Sequence, residues 1–145
     1  MKRPSYVFII LICVIAGYPA KAQQLMPTVY DAQKLKDKDS LFLDKPLSAL
    51  LKEIGPEIVT VSTSSHRAHN ALSYLIFKFI RREEQGRYNL AGKRSLSILV
   101  FVKENFDWDK PRDKMMQWTK EDAERLGHLT IVRIGIVGET LPPIS

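Results

Sequence analysis

His66 and His69 stand three apart in the polar run SHRAHN, residues 65–70. Two imidazoles at that spacing supply half of a zinc site. The missing ligands would have to come from His128 or from acids far along the chain. The run therefore reads as a solvated loop. Asp107, Asp109 and Asp113 form D-x-D-x-x-x-D, which invites calcium. The helix–loop–helix calcium pattern then needs an acid or amide at Pro111, Gly at Arg112 and Glu at Trp118, and all three fail. No metal or other cofactor is expected.

Nucleophilic chemistry lacks its parts. The chain has no G-x-S-x-G, S-x-x-K, H-E-x-x-H, phosphate-binding loop or dinucleotide fingerprint. Ser64, Ser65 and His66 are too close along the chain to suggest a triad, because triads assemble from distant segments. Carboxylate-pair hydrolysis needs no local motif. Asp107 and Glu83 keep open an alternative reading as a small hydrolase of cell wall or glycan.

Contact residues are easier to nominate. Trp108 lies between two aspartates, where an indole is hard to bury, and it could stack on a sugar ring or dock a protein. Trp118 directly precedes the helix-capping Thr119, a position that favours packing. Arg87 and Tyr88, with Lys93 and Arg94, offer a second patch.

These residues fall in two connections, 82–94 and 104–118, that flank two apolar runs. The runs, Leu72–Arg81 and Ser95–Lys103, are β-branched, aromatic and free of Gly and Pro, and read as central antiparallel strands. Leu75, Phe77 and Phe79 share one face of the first, opposite Tyr74, Ile76 and Ile80. In the second, Leu96, Ile98, Val100 and Val102 oppose Leu99 and Phe101. Apolar residues on both faces predict that both are largely covered, with Lys78 the interruption. Glu57–Ser64 and Leu129–Val137 read as outer strands, and Leu41–Leu43 as a short edge strand.

A helix is predicted over Asp44–Gly55. Asp44 is its N-cap, Pro46 sits in its first turn, and Leu47, Leu50, Leu51 and Ile54 form its stripe. Gly55 would be its left-handed end. A second helix runs from the Thr119 cap to Leu126, with Asp122 reciprocating the cap and Gly127 as its stop. The fold class is α+β: a single mainly antiparallel sheet of about four strands with two short helices, in the order α-β-β-β-α-β.

Lys2 and Arg3, the uncharged run Tyr6–Gly17, Pro19 and Ala20-Lys21-Ala22 follow the order of a secretory signal peptide, with cleavage before Gln23. The apolar run is too short to span a bilayer. The expected division is a cleaved leader over 1–22, a flexible lead-in over 23–40, the domain over 41–138 and a loose tail over 139–145. Lys2, Arg3 and Lys21 leave with the leader, taking the net charge from +6 to +3. Cys13, the only cysteine, leaves too, so the remainder is disulfide-free and held by burial. The charges alternate in sign and form no basic stripe, so nucleic acid is not an expected partner, nor is a membrane once the leader is gone. The chain reads as an exported periplasmic or secreted binding module with a protein or glycan partner. A purely structural role through a free edge of the last strand is a third class.

Overall fold

The computed structural model describes residues 23–64 and 72–140. Four strands, β1 (Thr60–Ser64), β2 (Ser73–Lys78), β3 (Ser97–Val102) and β4 (Ile131–Val137), form one antiparallel sheet in the order β1-β2-β3-β4. Among the described residues four α-helices accompany it: α1 (Ala32–Asp37), α2 (Leu47–Leu51), α3 (Arg82–Leu90) and α4 (Lys120–Leu126). The α+β class and the antiparallel sheet agree with the sequence reading, and the predicted element order is roughly matched.

Register fixes the two faces. One carries the rows Val61–Phe77–Ile98–Ile136 and Thr63–Leu75–Val100–Ile134. Phe77, Leu75, Ile98 and Val100 are wholly buried there, beneath Met26, Leu35, Leu47 and Leu50. Each of these side chains contributes about 2 kcal/mol by leaving water. The other face carries Ser64–Tyr74–Phe101–Arg133, then Ser62–Ile76–Leu99–Gly135, then Thr60–Lys78–Ser97–Val137. Tyr74, Ile76, Leu99 and Phe101 are only half-buried. The expectation of two covered faces is thus corrected. The helices α1 and α2 lie on the inner side, while outside the Tyr74 and Phe101 rings meet at 5.8 Å and the Arg133 guanidinium lies 4.0 Å from the Phe101 ring centre.

Residues 23–40 are not a frayed lead-in. Met26 bridges to Ile54, and Ala32 and Leu35 of α1 enter the core. The polar surroundings hid these few anchors. Leu41–Leu43 forms no strand: a 3-10 turn covers Asp39–Leu41, and Phe42 alone is buried.

The predicted stripe of the first helix is correct, with Leu47, Leu50 and Ile54 buried, but its ends differ. Asp44 is not the cap. It sits at φ 61°, and its N–H donates to Ile131 O at 2.9 Å while Ile131 N–H donates to Lys45 O. Pairing with the start of β4 has displaced capping. The first amides of α2 are met by backbone instead, Leu47 N–H by Leu129 O at 2.7 Å and Ser48 N–H by Gly127 O at 2.9 Å. Gly55 is not a left-handed end either, and Gly127 ends α4 as expected, at φ −59°. A Cβ on Gly55 would lie 2.9 Å from Gln24 Oε1, and one on Gly127 would lie 2.7 Å from Ala123 O. Gly55 gives room to the incoming N-terminal segment, and Gly127 lets α4 close against α2.

Candidate functional site

The 82–94 connection, expected as a loop, contains α3. Its first turn holds Glu83 and Glu84, and the Glu84 carboxylate accepts the Arg81 N–H at 3.1 Å. At the other end Gly92 takes φ 70°, Lys93 N–H donates to Tyr88 O at 2.9 Å and Gly92 N–H to Asn89 O at 3.0 Å. These two bonds are the Schellman closure. Apolar periodicity could not find this helix, because Tyr88 is its one buried residue and Leu90 is 91% exposed. The helix-forming run Arg82–Gln85, acidic at its start and followed by Gly92, was the available signal.

Lying across the end of the sheet, α3 leaves a cleft on each side. The first, of 350 Å³, contains two of the predicted contact residues, Arg87 and Tyr88. Tyr30, Phe79 and Leu96 give it apolar walls, and Glu84 and Glu139 place carboxylates on its rim. Tyr88 is buried, whereas Tyr30 is 72% exposed. The second cleft, of 260 Å³, opens on the outer sheet face. Ile76, Leu99 and Val137 line its apolar part, and Lys78, Gln85, Asn89 and Arg94 its polar part. Burial lowers the Lys78 pKa below the ordinary lysine value.

The two predicted connections do meet. Arg81, Arg82 and Glu83 share a 390 Å³ hollow with Arg112, Asp113, Met116 and Gln117. Cations and carboxylates line this hollow together. Sequence reasoning missed Tyr30 and Lys78, the former because residues 23–40 were not expected to fold and the latter because a strand lysine reads as solvated.

Trp108 is placed differently from Arg87 and Tyr88. It lines none of these clefts. Its indole N–H donates to Met115 O at 2.7 Å, and its ring stacks with Trp118, centroids 6.4 Å apart and planes 10° apart. Lys110 lies 4.7 Å from the Trp108 ring centre, and Trp118 meets Phe77 edge-on at 4.9 Å. Lys110 also donates to Gln117 O and to Asp122, whose carboxylate accepts the Thr119 N–H and hydroxyl. Burial works against ionising Asp122, but the Lys110 and Thr119 hydrogen bonds outweigh it and hold the carboxyl below its usual range. The 104–118 connection is therefore latched onto α4 and the core. Its far end also edges β1, where Val61 N–H donates to Met116 O at 2.8 Å.

Glu104 is likewise held below the ordinary glutamate range. Burial opposes its charge, and the Thr130 hydroxyl and N–H overcome that by donating to it. A carboxyl kept ionised in this way binds structure and is unsuited to donate a proton. The Asp107 backbone carbonyl accepts from Arg125 at 3.0 Å. His66 and His69 lie outside the described residues, and His128 is exposed. Among the described residues no three His, Cys, Asp or Glu side chains cluster as a metal site would require. No family model, curated protein or solved structure matches this chain.

Proposed function

We propose that this is a small exported protein that works by binding, and that its ligand is held in the clefts beside α3. The observation that carries the reading is the lining of those clefts. Lys78, Gln85, Asn89 and Arg94 make no side-chain hydrogen bond or ion pair among the described residues, and with Arg87 they border apolar walls. Apolar walls with a few convergent polar groups are the common form of a ligand site. In the body of the fold, by contrast, no buried side-chain polar atom among the described residues lacks a partner. Export is supported by the leader-like order of residues 1–22.

Two measurements test this. Mass spectrometry of protein from an envelope fraction should find chains beginning at Gln23, and full-length chain confined to the cytosol would overturn export. In thermal-shift assays, envelope glycan fragments or peptides should raise the unfolding midpoint, and Ile76→Asp together with Arg87→Ala should abolish the rise. Hydrolysis of a glycan that Glu84→Gln or Glu139→Gln abolishes would replace binding with catalysis.

A further inference from the structure

We propose that the cleft between α3 and the outer sheet face, bordered by Lys78, Gln85, Asn89 and Arg94, binds a small amphipathic anion: a carboxylate or phosphate head on a short apolar body. The proposal rests on the binding reading above and adds the class of ligand.

Three observations carry it. First, the polar groups are matched to an oxyanion. Lysine supplies three N–H donors, arginine a planar fork and the two amides further N–H groups. Gln85 and Asn89 are four apart on α3 and so lie on one side of it, facing the strand residues. Second, the charge is unanswered. Both cations of this cleft lack a carboxylate in its lining, whereas Arg87 has Glu84 and Glu139 beside it, and Arg81, Arg82 and Arg112 have Glu83 and Asp113. Lys78 pairs across the sheet with Thr60 and Ser97, neither of them charged. Its ammonium is partly desolvated with no counter-ion among the described residues, and burial lowers its pKa. An anion entering the cleft would recover the lost solvation.

Third, the floor is apolar. Ile76, Leu99 and Val137 come from three neighbouring strands, and Ile76 and Leu99 continue into the half-buried rings of Tyr74 and Phe101. The 260 Å³ volume suits a small molecule or the end of a larger one. A second copy of the chain is a poor occupant. A two-fold contact through this face would set Lys78 and Arg133 against their own images, with no acid among the strand residues of the face to offset them.

Isothermal titration of the purified protein with four eight-carbon probes decides the matter: octanoate, octyl phosphate, octanol and octylamine. One or both anions should bind, octanol and octylamine about tenfold more weakly or not at all, as expected for losing a charge-assisted hydrogen bond. The two anions against each other distinguish a carboxylate from a phosphate head. Lys78→Met and Arg94→Gln should each weaken the anion about tenfold and leave octanol unchanged. Lys78→Met keeps the aliphatic stem and removes a poorly solvated charge, so the variant should fold with an unchanged or higher thermal midpoint. Octanol binding as tightly as the anions would overturn the anion assignment and leave the cleft as an apolar site. Anion binding indifferent to both substitutions would overturn the location. If none of the four binds, the anion site falls, and the binding reading then depends on the thermal-shift result alone.

Discussion

The Asp122 carboxylate accepts from Lys110, from the Thr119 hydroxyl and from the Thr119 amide while only 3% exposed. Asp122→Asn keeps the shape but leaves the Lys110 ammonium without its counter-charge. The expected loss is about 3 kcal/mol, read from the urea midpoint at pH 7. The same carboxyl and Glu104 have folded pKa values below their ordinary 3.8 and 4.5. A depressed folded pKa contributes stability above the unfolded value, and that stability is lost as the pH falls through the folded one. Unfolding midpoints should therefore be level near neutrality and fall below about pH 4.5. Asp122→Asn should flatten part of that acid limb. The Thr119–Asp122 pairing was legible in the sequence, because a capping box is written in residues three apart. Lys110 as the third member was not, since it arrives from a connection with no local pattern.

At the scale of elements, the strands were readable and α3 was not. β2 and β3 announce themselves through apolar runs rich in aromatic and β-branched residues, with Leu75, Phe77, Ile98 and Val100 buried as predicted. α3 has no stripe to announce it, and its end closures and the single buried Tyr88 hold it. Its middle is weakened by Gly86, around which a Cβ would meet nothing within 4 Å. Gly86→Ala should raise stability by about 0.5–1 kcal/mol. Gly92→Ala should lower it by about 1 kcal/mol, because Gly92 occupies φ 70° at the helix closure. Opposite signs for two Gly→Ala changes six residues apart, measured by chemical denaturation, would be the signature of this helix. Two destabilising results would mean that residues 82–90 are not helical. The same reasoning explains the partial legibility of the clefts. Arg87 and Tyr88 stood out by type, but only α3 brings Gln85 and Asn89 opposite Lys78.

For the whole molecule, the order β1-β2-β3-β4 follows the chain, so each strand pairs with its predecessor. Long-range closure comes from the N-terminal segment. Met26 and Leu35 are wholly buried, and Met26 exchanges backbone hydrogen bonds with Glu53 and Gly55 at 3.0 and 2.8 Å. A chain beginning at Asp39 should lose cooperative thermal unfolding, because the inner face would lie open to water. Retention of a sharp transition would show that residues 23–38 are dispensable. Sequence pattern could not reveal this dependence, since Met26 and Leu35 are isolated among polar neighbours and become core only by meeting α2 and the sheet.

Both tryptophans of the chain sit in the one ring stack over Phe77. All indole emission thus originates from the 104–118 latch, while the clefts beside α3 hold tyrosine and no tryptophan. The protein carries an optical gauge fixed to its scaffold and separate from the surfaces a ligand would touch. Small molecules that quench or shift that light are acting on the framework, and those that bind in the dark are the ones to pursue.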